Sequence, residues 1–189
     1  MRSLASTLVA LTIALSASPA ARANEDLWAL LKDGGLVVLM RHTVTTPGVG
    51  DPPGMKVDDC TTQRNLTEEG RQHARLIGEA WRAHGLQPDR VMSSPMCRCL
   101  ETARLAFGRV DESHAVTNAR LEPDAARQVR ELRALASTKH RGATLVMVSH
   151  GTTIAAVTGI TPEPGEMLIV NPQGDGKFEL RGRLTVRQP

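Results

Sequence analysis

The stretch Leu36-Val37-Val38-Leu39-Met40-Arg41-His42 decides how this chain is read. Five apolar residues follow Gly34-Gly35 and end abruptly on a guanidinium and an imidazole. A short apolar run bounded by glycine predicts a buried strand. The same pattern recurs twice. Val91-Met92 runs into the polar cluster Ser93 to Arg98, and Leu145-Val146-Met147-Val148 runs into Ser149-His150. In open α/β sheets, ligands sit beyond the carboxyl ends of the strands. Scattered polar residues would not choose those three positions together.

Helical patterns separate these strands. Thr67 caps a helix whose first turn holds Glu68 and Glu69, where the dipole favours acids. Ala74, Ile77, Trp81 and His84 share a face, and Gly85 ends that helix. Ser94-Pro95 predicts a second start, with Pro at the first helical position and Met96, Leu100, Ala103 and Phe107 facing inward. Asp124 caps a third helix with apolar positions Ala125, Val129, Leu132 and Ala136. Gly151 to Val157 predicts another helix. Glu166 to Val170 and Phe178 to Val186 predict late strands, arranged as a hairpin. Residues 44–59, rich in Pro and Gly, form a loop. Strands alternating with helices imply an α/β fold: a three-layer α/β/α sandwich around a mostly parallel central sheet.

Composition limits the function classes. The chain has 189 residues, 41% hydrophobic but only 2% aromatic, so a single core must be aliphatic. Residues 1–23 read as a signal peptide: Arg2, an apolar stretch from Leu4 to Ala17, then Ala21-Arg22-Ala23 as a cleavage pattern. The mature domain would be 24–189, exported to a periplasm or secreted, with no stable membrane span. Loss of Arg2 and Arg22 lowers the formal charge from +3 to +1. With no Lys/Arg run and almost no aromatic residue to stack bases, a nucleic-acid partner is not expected.

The strand ends bring two histidines, His42 and His150, and two arginines, Arg41 and Arg98, toward one place. Guanidinium forks suit phosphate oxygens. Phosphoryl transfer is mainly positioning and charge stabilisation. One unprotonated imidazole can attack phosphorus while the other stabilises the developing charge. Gly151 allows close backbone approach, and the following helix start favours an anion. The histidines lack metal-ligand spacing, so neither a metal nor a cofactor is expected.

These residues resemble a family. Leu39-Met-Arg-His-Thr43 is similar to the Arg-His-Gly signature of the histidine phosphatase, or phosphoglycerate-mutase-like, superfamily. Asn65-Leu-Thr-Glu-Glu-Gly-Arg-Gln-His-Ala74 resembles its helix-start motif, Ser93-Ser-Pro-Met-Cys-Arg-Cys-Leu-Glu-Thr-Ala103 its second arginine motif, and Val148-Ser-His-Gly151 its second histidine motif. The resemblance implies a phosphoglycerate mutase-like fold and a phosphohistidine formed on His42. It also implies a phosphate pocket of Arg41, Arg98 and His150, and no metal. Thr43 replaces the usual Gly and is expected to narrow the pocket. Thr45 stands where relatives often have a phosphate contact. Glu122 lies in the stretch where many relatives carry the general acid, with Asp51, Asp58 and Asp59 as rivals. Glu101 reads as structural, on the helix face of Arg98.

Three cysteines, Cys60, Cys97 and Cys99, allow one disulfide in an oxidising compartment. Cys97 and Cys99 point to different sides of a helix, so Cys60 is expected to pair with one of them. The chain is short for a mutase and reads as a hydrolase of small phosphorylated substrates. Its exported, cysteine-bearing form resembles phosphatases of lipopolysaccharide core heptose phosphates, which implies a phosphorylated envelope glycolipid as substrate. Two alternatives remain open: a non-catalytic envelope protein that binds phosphate, and thiol redox chemistry at Cys97-x-Cys99.

Overall fold

The structure, a computed structural model, describes residues 19–119 and 124–188. Six strands form one sheet in the order β3-β2-β4-β1-β5-β6. They are β1 (Val37–Arg41), β2 (Arg90–Ser93), β3 (Asp111–Glu112), β4 (Leu145–Ser149), β5 (Met167–Gly174) and β6 (Lys177–Leu184). The β1–β4, β2–β4 and β2–β3 pairs are parallel, whereas β5 and β6 form an antiparallel hairpin. Among the described residues five α-helices cover the sheet: α1 (Pro19–Lys32), α2 (Glu68–Ala83), α3 (Cys97–Phe107), α4 (Ala125–Ser137) and α5 (Gly151–Thr158).

The pleat of β1 builds both cores. Val38 and Met40 join Leu27, Trp28, Ile77, Trp81 and Ala103 on the face covered by α1, α2 and α3. Val37 and Leu39 join Leu132, Ala136, Ile154 and Val157 on the face covered by α4 and α5. Alternate side chains of a strand point to opposite faces, so a run apolar at every position is what a doubly covered strand requires. The expected three-layer sandwich is therefore the observed architecture.

Several local readings shift. Helix α1 had no counterpart in the sequence reading, and it runs through the expected cleavage position after Ala23. Leu27, Trp28 and Leu31 are buried from it. Pro95 is not the first helical residue: α3 starts at Cys97, with Met96 at the N-cap position and no side-chain cap. Phe107 on α3 is only partly buried. On α4, Ala125 is exposed, and the buried residue of that turn is Gln128, whose amide donates to the Thr117 carbonyl. The caps Thr67 and Asp124 are as expected, accepting from the Gly70 and Arg127 amides.

Candidate active site

Strand pairing places the histidines. Arg41 faces Ser149 in the parallel β1–β4 register, so the next residues, His42 and His150, leave the sheet side by side. Their ring centroids lie 5.5 Å apart. β2 lies on the other side of β4, and its continuation brings the Ser94 hydroxyl 2.9 Å from His150 Nε2. Both rings are almost fully buried, as is Arg98 at 1% exposure.

Hydrogen bonding fixes one tautomer. His42 Nδ1 lies 2.8 Å from the Thr43 carbonyl. A carbonyl only accepts, so Nδ1 carries the proton and Nε2 keeps its lone pair. Burial first, then the cationic Arg98, Arg41 and Arg64, push the His42 pKa down to about 3 against the upward pull of the Thr43 carbonyl. Burial, followed by Arg98, His42, Arg64 and Arg41, holds His150 well below the ordinary histidine range. In the absence of an anion both rings are neutral near pH 7.

Three arginines surround this pair, one more than the sequence reading singled out. Each anchors its Nη1 to the protein. Arg41 Nη1 donates to the Pro162 carbonyl at 2.9 Å, Arg64 Nη1 to Thr45 Oγ1 at 2.6 Å, and Arg98 Nη1 to Asp51 Oδ1 at 2.9 Å. Each leaves a buried Nε that has no hydrogen-bond partner. Buried donors without partners are rare and costly. Three of them beside two neutral imidazoles make the chemistry of a site for a multiply charged oxyanion. Arg64 could have been suspected from its position just ahead of the Leu66-Thr67 helix start, but its spacing from His42 carries no pattern.

Neighbouring residues hold the arrangement. The Arg41 guanidinium packs on Gly151, where an added Cβ would lie 3.2 to 3.4 Å from Arg41 Cδ, Nε and Cζ. The Gly165 amide donates to the Arg41 carbonyl at 3.2 Å, tying the 162–166 turn to the end of β1. Gly165 has φ +78°, and a Cβ there would meet the His73 ring at 2.6 Å, so two constraints demand glycine.

The Thr43 hydroxyl and amide both bond Thr102 Oγ1, which ties the residue to α3. Thr45 serves Arg64 through its hydroxyl. Asp51 grips Arg98, whereas Asp59 caps the Cys60–Thr62 turn by accepting from Thr61. Glu101 is structural but pairs with Arg71 at 2.7 Å, not with Arg98. Glu122 lies outside the described residues. Cys60 is bonded to Cys97, and Cys99 is a free buried thiol, pushed up to about 12 by burial. A thiol that stays protonated is a poor redox nucleophile, which argues against the Cys97-x-Cys99 reading. Among the described residues no group of His, Cys, Asp and Glu could hold a metal ion. No helix among them is long and apolar enough to cross a membrane.

Comparison with known proteins agrees with this geometry. The model of the histidine phosphatase superfamily (branch 1) matches residues 37–122, which include β1, the first histidine and both arginine motifs. Residues 37–122 are thus similar to that superfamily. Solved structures similar in fold include the protein histidine phosphatase SixA complexed with tungstate, at 17% identity and TM-score 0.53 over 79% of this chain and 96% of that one. Phosphoserine phosphatase from Entamoeba histolytica in complex with phosphoserine aligns at 19% identity and TM-score 0.52, covering 78% and 95%. Bacillus stearothermophilus YhfR aligns at 20% identity and TM-score 0.56, covering 77% and 95%. No curated protein sequence matches the chain.

Proposed function

We propose that the protein is an exported, metal-independent phosphomonoesterase. One observation carries this reading: His42 presents an unprotonated Nε2 among three arginines whose buried Nε groups lack partners. In the proposed reaction, Arg41, Arg64, Arg98 and His150 bind the phosphoryl oxygens. His42 Nε2 attacks phosphorus in line, and the ester oxygen leaves with a proton from Glu122. Water then attacks the phosphohistidine, giving its proton to Glu122 and releasing phosphate. Donors fixed before the charge develops need no reorganisation, so arginines can do here what a metal does elsewhere.

Glu122 is assigned by resemblance, as the acid in the stretch where many relatives carry theirs. The signal peptide fits because the first buried side chain among the described residues is Leu27, so cleavage after Ala23 removes none of them from the core.

The natural substrate is proposed to be a phosphorylated envelope glycolipid, by resemblance to the exported heptose-phosphate phosphatases. A shallow apolar groove lined by Ala119, Ala126, Val129, Ala155 and Ala156 reaches Thr152, two residues past His150. It suits a leaving group with apolar surface, so lipid-linked phosphates belong beside sugar phosphates in a screen. The test is turnover of p-nitrophenyl phosphate and an ester panel by purified protein in chelator. Steady turnover, abolished in His42→Ala, is expected. Phosphate binding without turnover of any ester would favour a non-catalytic phosphate-binding protein instead.

A further inference from the structure

We propose that Asp51 is the positioning residue of the phosphoryl site, holding Arg98 by one edge so that its other edge faces the substrate. This rests on the phosphatase reading above and adds a residue to it.

A guanidinium has five N–H donors. In Arg98 three are occupied. Nη1 donates to Asp51 Oδ1 at 2.9 Å and Nη2 to Asp51 Oδ2 at 3.2 Å, a two-point grip on the end of the fork. Nη1 also reaches the Arg64 carbonyl at 3.4 Å. The remaining donors are Nε–H, buried and unpaired, and the second N–H of Nη2. Those two lie parallel on the same side of the planar group, the edge that binds an oxyanion at two points. An anion can thus bind Arg98 without displacing Asp51. The carboxylate orients the guanidinium and does not compete for its anion-binding edge.

Asp51 serves a second arginine as well. Its Oδ1 accepts from the Arg64 backbone amide at 3.1 Å. One carboxylate therefore sets the side chain of Arg98 and the chain position of Arg64. Its loop is pinned to the start of α3 by two further links beside Arg98: the Cys60–Cys97 disulfide and the Cys97 amide donating to Gln63 Oε1 at 3.0 Å. Gln63 Nε2 in turn donates to the Lys56 and Val57 carbonyls. The Asp51 side chain is 17% exposed against 1% for Arg98, so the ion pair sits in largely desolvated surroundings. A carboxylate supporting a binding group from behind typically changes function 10- to 100-fold when removed, by analogy with the outer partners of metal ligands.

The test is Asp51→Asn, with tungstate as the phosphate analogue and calorimetry as the readout. The amide keeps the shape but turns an N–H toward an Arg98 Nη, so the fork must rotate. Tungstate is expected to bind at least about 10-fold more weakly, and kcat for p-nitrophenyl phosphate to fall more than KM rises. Unchanged or tighter tungstate binding would overturn the role, since a competing carboxylate gives tighter binding when neutralised. If wild-type protein binds no tungstate, the phosphoryl-site reading itself fails and takes this proposal with it. Should Asp51→Asn not fold, a tungstate complex of the wild type decides. The Asp51–Arg98 pair is expected to persist with tungstate on Nε and Nη2, and Asp51 swung away would overturn the proposal.

Discussion

Removing the Cys60–Cys97 disulfide, by serine at both positions, should cost this protein about 4 kcal/mol of stability. The bond spans 37 residues of sequence. Closing a loop of that length removes roughly 13 cal/mol/K of entropy from the unfolded chain, which at 25 °C is about 4 kcal/mol. Cys60 is exposed and Cys97 is 7% exposed, so two serines add little direct penalty. At this chain length, that loss lowers Tm by roughly 8–15 °C. The assay is urea unfolding of the oxidised wild type and of the double variant, both without reductant. The m-value should rise in the variant, because an uncrosslinked unfolded chain exposes more surface. A loss under about 1 kcal/mol with an unchanged m-value would refute the reasoning: the loop would then be held as well without the bond. Thiol counting on unfolded, non-reduced protein should find one thiol, Cys99.

Acid should destabilise the fold through the site. The folded His42 pKa lies near 3 and its unfolded value near 6.5, so the unfolded chain binds more protons between them. Stability present above pH 6.5 is lost as pH falls toward 3, about 2 kcal/mol by pH 5 from His42 alone, and His150 adds loss in the same direction. Urea midpoints that stay flat from pH 7 to 5 would contradict this. Gly151→Ala should lower kcat/KM roughly 10-fold with little change in Tm, because the new Cβ pushes on the Arg41 guanidinium. Gly78→Ala should cost more than about 2 kcal/mol, since its Cβ would lie 2.1 Å from the Ala106 carbonyl oxygen where α2 meets α3. Glu122→Ala should slow alkyl phosphates more than nitrophenyl phosphate, whose leaving group needs no proton; equal losses on both would remove Glu122 as the acid.

The sheet was legible because its signals are local. Leu36 to Met40 is apolar at every position, as a strand covered on both faces must be, and Thr67 and Asp124 cap through their own turns. The four site residues named from sequence, Arg41, His42, Arg98 and His150, follow from strand ends, and strand register brings them together. What escaped depends on contacts far along the chain. Helix α1 was hidden because only Leu27, Trp28 and Leu31 mark its buried side after the expected cleavage point. The start of α3 slipped to Cys97, and the Ser94 hydroxyl is drawn to His150 Nε2 at 2.9 Å, a contact with no local signal. Ala125 is exposed and Gln128 buried on α4, where Thr117 offers the Gln128 amide a buried carbonyl. Arg64 and Asp51 lie 22 and 9 residues from His42 in a loop with no periodicity, so only the folded chain reveals that they close the arginine cluster.

The central claim is that His42 Nε2 carries the phosphoryl group in passing. Rapid acid-free quenching of a metal-chelated turnover with labelled phosphate ester tests it most directly. The account predicts acid-labile, alkali-stable label on His42, formed within one turnover and absent from His42→Ala. Full turnover with no labelled protein, or label on another residue, would contradict it.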